Sequence, residues 1–208
     1  MKNHQVHNLI ILDESGSMFS IKKQIISGFN EVVQTVKGVE QQFPEQEHFI
    51  SFITFNGLGI TEQLFKAPVK YLKELNESTY RPDASTPLYD AIGFGVAKLE
   101  RQLEGVENYN VLVTVLTDGE ENSSREYTLD AIKKKIEALQ RKRWTFTYTG
   151  TDHDVYRSAK DLSITNVMHF SKDEAAMKSM FLKEQAARMD YSRKIRTGED
   201  TGKDFYKK

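Results

Sequence analysis

The sequence predicts an α/β fold, with a doubly wound, mostly parallel sheet of six strands, one antiparallel edge strand and helices on both faces. Three observations predict it. Short β-branched runs alternate with longer stretches of helical apolar spacing along almost the whole chain, the pattern of parallel strands joined by crossover helices. The central runs are apolar at consecutive positions, as in strands buried on both sides. One pair of strand-like runs is separated only by a short loop containing Gly57 and Gly59, which makes a hairpin.

Taken in order, residues 6–12 read as a short buried strand. In residues 19–37, Ile21, Ile25, Phe29, Val32 and Val36 recur three or four positions apart, a single helical stripe. The stretch HFISFITFN, residues 48–56, is β-branched and aromatic, hence a strand. Residues 60–65 alternate weakly and fold back on it at a sheet edge. A polar stretch, residues 76–86, leads to Pro87, and Leu88, Ile92, Val96, Leu99 and Leu103 then mark a second long helix. NVLVTVLT, residues 110–117, is the most strand-like segment. After it come a basic helix (128–142), a strand (144–150), a short helix (154–161), a last strand (164–170) and a last helix (173–195). Right-handed crossovers distribute these helices over both faces. The domain spans residues 1–195, and residues 196–208, polar with two glycines, read as a mobile tail.

Composition excludes several classes of function. The 208 residues carry 29 basic and 30 acidic side chains, a net charge of −1, so no global basic field exists to hold nucleic acid by its phosphates. There is no cysteine, which removes disulfides, thiolate catalysis and Cys-type zinc sites and suits a reducing cytoplasm. No run approaches the roughly 18 apolar residues of a membrane span, and the first apolar run is stopped by Asp13 before it reaches signal-peptide length. The expectation is a soluble cytoplasmic protein that binds neither membrane nor nucleic acid.

Parallel α/β sheets build their sites at the carboxyl ends of the strands. Asp13 ends the first strand and is followed by Ser15 and Ser17 in DESGSM. Asp118 ends the strand 110–117, in LTDGEEN, and Thr86 opens a helix in ASTPLYDAI. If the fold is right, all five reach one edge of the sheet. All are oxygen donors, and none is His or Cys. Such a set suits a hard cation, Mg²⁺ first, with Mn²⁺ and Ca²⁺ as alternatives. Two carboxylates only just neutralise a divalent ion, and an octahedral ion keeps a position for water or for a partner's oxygen. The N-terminus of helix 19–37 adds partial positive charge nearby, which does not hold a cation but favours an incoming anion. The chemistry is that of a metal-mediated receptor for a carboxylate.

These residues resemble a known family. DESGSM fits the Asp-x-Ser-x-Ser pattern of the von Willebrand factor type A domain, STPLYDAI resembles its threonine loop, and LTDGEEN its final aspartate loop. The motifs arrive in the family's order, and the resemblance covers residues 6–190. It implies a Rossmann-like six-stranded sheet with one antiparallel edge strand and a metal-ion-dependent adhesion site. In that site Ser15 and Ser17 bind the metal directly. Thr86, Asp13 and Asp118 bind it directly or through water, and an Asp or Glu of a protein partner completes the shell. The sequence departs from the pattern at Ala84-Ser85, where the family's loop often carries glycines. The cysteine-free form resembles bacterial intracellular standalone members rather than secreted adhesion proteins.

Plainer roles stand beside these. Asp13, Ser15 and Ser17 are also helix-capping residues, Thr86 before Pro87 is an ordinary N-cap unless Ser85 takes that place, and Asp118-Gly119 makes turns. Glu14, Glu120, Glu121 and Asn122 read as a solvated rim. In TDHD, residues 151–154, an Asp capping the next helix is preferred to a catalytic cluster. The basic residues Lys133 to Lys135 and Arg141 to Arg143 read as a wet helix face, and Met177, Met180 and Phe181 as core. Phe205 and Tyr206 go with the tail. The competing reading is an Mg²⁺-dependent phosphotransferase of haloacid dehalogenase type. It needs a second Asp two residues after Asp13 as proton donor, and Ser15 stands there. No G-x-S-x-G elbow or phosphate loop is present. The expected function is therefore non-enzymatic, metal-dependent protein binding.

Overall fold

The computed structural model describes residues 4–151 and 154–206. Along the chain it contains β1 (His4–Asp13), a 3-10 turn (Gly16–Ile21), α1 (Lys22–Gln42), β2 (Gln46–Asn56), β3 (Gly59–Pro68) and a second short 3-10 turn (Val69–Tyr71). These are followed by α2 (Leu88–Gln102), β4 (Tyr109–Thr117), α3 (Leu129–Gln140), β5 (Trp144–Gly150), α4 (Val155–Asp161), β6 (Asn166–His169) and α5 (Glu174–Thr197). The strands form one six-stranded sheet in the order β3-β2-β1-β4-β5-β6. All neighbours are parallel except β2 and β3, which pair antiparallel at the edge as the hairpin signal predicts.

The chain grows outward from β1, first toward β2 and then toward β4. That reversal opens a crevice at the carboxyl ends of β1 and β4, where open α/β sheets carry ligands. The register sets the level of that crevice: Leu12 of β1 lies opposite Leu116 of β4, so Asp13 and Thr117 leave the sheet side by side.

Period-two alternation in β1 supplies both cores. Leu9 and Ile11 pack with α2, α3 and α4, through Ile92, Val96, Ile136 and Val155 among others. Ile10 and Leu12 pack with α1 and α5, through Ile25, Phe29, Val33, Met177 and Phe181. Each such side chain contributes about 1.5–3 kcal/mol by leaving water. Gly28 lets α1 and α5 approach: a Cβ there would lie 1.8 Å from the Phe181 ring. Buried Arg188 of α5 pairs with Glu184 (2.8 Å) and donates to Asn8 Oδ1 (3.1 Å) and Thr114 Oγ1 (2.7 Å), tying that helix to the sheet.

Two sequence expectations are corrected. The helix expected from residue 19 begins as the 3-10 turn Gly16–Ile21, because Ser17 is held toward Asp118 by a hydrogen bond before the chain can settle into α-helix. The polar C-terminal segment expected as a mobile tail is docked as far as Tyr206. Gly198, at φ 71°, ends α5, and the chain then turns back under the sheet. Thr145 Oγ1 donates to Thr201 O (2.9 Å), Asn166 Nδ2 to Gly202 O (3.0 Å) and Phe205 N to Asn166 Oδ1 (3.1 Å). Phe205 is buried against Tyr191 and Tyr206. No helix among the described residues is long and apolar enough to cross a membrane.

Candidate metal centre

Asp13 ends β1 and is fully buried. Its Oδ1 accepts the Ser15 amide (2.7 Å), its Oδ2 accepts the Thr117 hydroxyl (2.5 Å), and its carbonyl accepts the hydroxyl of buried Tyr80 (2.6 Å). Burial pushes the Asp13 carboxyl up to about 6; the hydrogen bonds from Thr117 and Ser15 pull it down, and the nearby Asp118 pushes it up. A carboxylate kept in so dry a place is costly unless a cation compensates it.

The Ser15 hydroxyl lies 3.2 Å from that of Ser17, which donates to Asp118 Oδ1 (2.5 Å). Ser15 and Asp118 are buried and Ser17 is exposed. Gly16 N donates to Ala84 O (3.0 Å), tying the first loop to the segment before Thr86. Thr86 is then fixed by a reciprocal pair: its amide donates to Asn122 Oδ1 (2.8 Å), and the Asn122 amide donates back to its carbonyl (3.2 Å). Gly119 marks where the loops meet. A Cβ built there would lie 3.4 Å from Thr86 Oγ1 and 3.6 Å from Ser17 Oγ. Asp13, Ser15, Ser17, Thr86 and Asp118 are thus neighbours in one cluster.

The plainer capping roles can be checked directly. No side chain caps the Gly16–Ile21 turn, so Ser15 is free of that duty. Thr86 does not cap α2 either. The first amide of that helix, Leu88 N, donates to the Thr86 carbonyl (3.0 Å), not its hydroxyl, and the next two are taken by Glu121 Oε2, from Tyr89 N (2.9 Å), and by Ser124 Oγ, from Asp90 N (3.0 Å). Among the described residues the Thr86 hydroxyl has no hydrogen-bond partner, and Thr86 is only 3% exposed. Asp154 caps α4 as expected, accepting from Arg157 N (3.0 Å); Asp152 and His153 of the same TDHD stretch lie outside the described residues.

Three rim residues turn out to be braces. Glu14 Oε1 accepts the Arg81 amide (2.5 Å), Asn122 holds Thr86, and Glu121 closes its own loop on Ser123 and Ser124 while capping α2. Glu120 is exposed, as a rim residue should be. Their side chains serve loop backbones, which sequence polarity alone does not distinguish from solvation. Two residues carry no sequence signal at all. Thr117 reaches Asp13 only because of the β1–β4 register. Lys172, in the segment between β6 and α5, places its ammonium 2.8 Å from Asp118 Oδ2.

Ala84 has φ 62°, a left-handed conformation that costs a non-glycine residue about 1–2 kcal/mol. Ala84 belongs to the Ala84-Ser85 pair at which the sequence departs from the expected glycines. Gly57 has the opposite reason to be glycine: a Cβ there would sit 2.3 Å from Ser85 Oγ and 2.7 Å from its amide.

The donor set fits a hard divalent cation, with two carboxylates, three hydroxyls and no nitrogen or sulfur. Among the described residues no group of three or more His, Asp or Glu is clustered for metal binding, so the hydroxyls are essential to any such site.

A sequence model of the von Willebrand factor type A domain matches residues 9–185. No curated protein matches the chain. Several solved structures do in fold. A von Willebrand factor type A protein from Catenulispora acidiphila is 17% identical, with a TM-score of 0.58 over 90% of this chain and 43% of that one. The manganese-loaded TRAP protein of Plasmodium vivax is 16% identical, with a TM-score of 0.56 over 86% of this chain and 74% of that one. The pilus adhesin SpaC of Lactobacillus rhamnosus GG is 10% identical, with a TM-score of 0.64 over 91% of this chain and 30% of that one. This chain therefore spans less than half the length of the first and the third. With the family sequence model covering most of its length, the chain belongs to the von Willebrand factor type A family.

Proposed function

We propose that this von Willebrand factor type A chain is a cytoplasmic, non-enzymatic binding module with a metal-ion-dependent adhesion site, of the bacterial standalone kind. Asp13, Ser15, Ser17, Thr86 and Asp118 hold one divalent cation, Mg²⁺ ahead of Mn²⁺ or Ca²⁺, and the site captures an Asp or Glu side chain of a protein partner. The observation that carries this reading is the convergence of five oxygen donors from three separate loops, among them the hydroxyl of the buried residue Thr86, which has no hydrogen-bond partner among the described residues. A bound cation supplies a Lewis-acidic position that a carboxylate can complete.

The protein's own contribution is positioning. The Asp13 and Asp118 carboxylates supply the charge, and Ser15, Ser17 and Thr86 supply neutral oxygens. The braces Asn122, Glu121 and Glu14 hold three loops in register, so little ordering remains to be done when a partner arrives. The phosphotransferase alternative is not favoured. Ser15, which stands where that chemistry needs an acid, is buried and hydrogen-bonded within the cluster.

The test is capture from cell extract on immobilised protein, in Mg²⁺ and in EDTA, with Asp13→Ala as control. A partner retained only with Mg²⁺ and only by the wild type supports the reading. Equal recovery in EDTA overturns it.

A further inference from the structure

Thr117 is the last residue of β4 and is fully buried. It pairs with Gly150 of β5 on one side, and β1 runs along the other, with Leu12 opposite Leu116. Its place is therefore set by the sheet, and groups carried on strands are held more precisely than groups carried on loops. Its hydroxyl works in two directions. Oγ1 lies 2.5 Å from Asp13 Oδ2 and 3.1 Å from Gly119 O. With one proton to give, it donates to the nearer, charged acceptor, and its lone pairs accept the Gly119 amide at 3.2 Å. A threonine oxygen that accepts the amide two residues on closes a turn around the residue between them, and that residue is Asp118. One buried oxygen thus grips the Asp13 side chain and the backbone that carries Asp118. Asp13 is held from its other side as well. The Ser15 amide donates to Oδ1 at 2.7 Å, so the carboxylate cannot rotate without losing a donor.

Resting on the function proposed above, we infer that Thr117 is a positioning residue that fixes the spacing of the Asp13 and Asp118 carboxylates and so makes the site favour Mg²⁺ over Ca²⁺. The two ions ask different things of their ligands. Mg²⁺ demands a near-octahedral shell at about 2.0–2.1 Å, whereas Ca²⁺ accepts looser and more numerous oxygens at about 2.3–2.6 Å. A site whose carboxylates are fixed relative to each other can meet the stricter demand. A site whose carboxylates drift still serves the more tolerant ion. Loss of a group that orients a metal-binding side chain typically weakens the metal by about 10–100-fold. Here that loss falls on Mg²⁺ far more than on Ca²⁺, because the hydroxyl supplies order between the carboxylates rather than charge.

The test is calorimetric titration of Mg²⁺ and, separately, of Ca²⁺ into wild type, Thr117→Val and Thr117→Ser. Circular dichroism and thermal melting of each variant check the fold. Thr117→Ala, which also lacks the hydroxyl, replaces Thr117→Val if the latter does not melt cooperatively. The expected result is that Thr117→Val weakens Mg²⁺ by about 10–100-fold and Ca²⁺ by no more than about threefold, so that the ratio of the two affinities falls on the order of tenfold. Thr117→Ser keeps the oxygen and should behave as wild type. A merely structural Thr117 would lower the thermal midpoint and leave the ratio where it was. If the variants without the hydroxyl keep the wild-type ratio, or if Thr117→Ser loses it as they do, this inference is wrong while the metal site stands. If wild type binds neither ion, both fail together.

Discussion

The two ends of the sheet make an instructive contrast. Both bury polar groups, and they do so differently. At the carboxyl end the buried groups are oxygens, Asp13, Ser15, Thr86 and Asp118, brought together by loops far apart in sequence. Toward the amino end they are histidines and amides. His7 stacks on Phe49 at 5.0 Å, His48 is buried one strand away, and Asn110 bonds Thr201 of the docked C-terminal segment at 3.1 Å. Burial holds both imidazoles neutral, pushing His7 down to about 3 and His48 to about 4. The oxygen end buries two carboxylates close together, whereas the carboxylates near the histidine end, Glu45 and Glu199, are exposed and paired with Arg196 and Arg193, and the docked C-terminal segment packs there. On the proposed reading one end receives a cation, while the other holds the fold.

The largest effect that would break this division is Asp13→Ala. It should abolish measurable Mg²⁺ binding, a loss of at least a hundredfold, while leaving the circular dichroism spectrum native. Calorimetry and spectroscopy on the same sample check both halves. At the other end, Phe205→Ala should cost about 3 kcal/mol of stability by urea denaturation and leave Mg²⁺ affinity unchanged. A shift in metal affinity there would mean that the ends are coupled.

The pH dependence sharpens the contrast, because the ends titrate with opposite signs. His7 and His48 have folded pKa values below 6.5, so the unfolded chain takes up protons that the folded one refuses. Their contribution is lost as pH falls from about 6.5 toward 4, by at most about 1.4 kcal/mol per pH unit for each. Asp13 is raised, so between about 6 and 3.8 the folded state takes up the proton first and gains stability. In metal-free buffer the three together predict a fall of roughly 1.4 kcal/mol per unit between pH 6 and pH 4.5. Asp13→Asn should remove the offset and about double the slope, read from urea midpoints across that range. The smallest effect is at Ala84, where Ala84→Gly should stabilise the protein by about 0.5–1 kcal/mol in thermal melts, because the left-handed backbone suits glycine.

What could be read without a structure follows the same division. The six strands, their antiparallel edge and the five oxygen donors were legible because periodicity and motif spacing are local properties of the chain. Lys172, Thr117 and Tyr80 were not, since each reaches the site through strand register or a loop that no local pattern encodes. Polarity misled in two places. Glu121 looked solvated but is half-buried and holds loop amides (Asn122 is exposed as expected, yet also holds Thr86), and the segment 199–206 looked mobile but bonds to Asn110, Thr145 and Asn166, polar strand residues that need a distant partner. Buried polar groups satisfied by backbone from elsewhere resemble surface groups when only sequence is in view.

The central claim is that the carboxyl-end oxygens form one divalent-cation site. Its most direct test is calorimetric titration of Mg²⁺ and Mn²⁺ into wild type and Ser17→Ala. Ser17 is exposed, so its replacement should not disturb the fold. One ion bound by wild type, and at least tenfold weaker binding by Ser17→Ala at an unchanged thermal midpoint, is the predicted result. Equal binding by both proteins, or none by either, would contradict it and leave DESGSM as a turn between a strand and a helix.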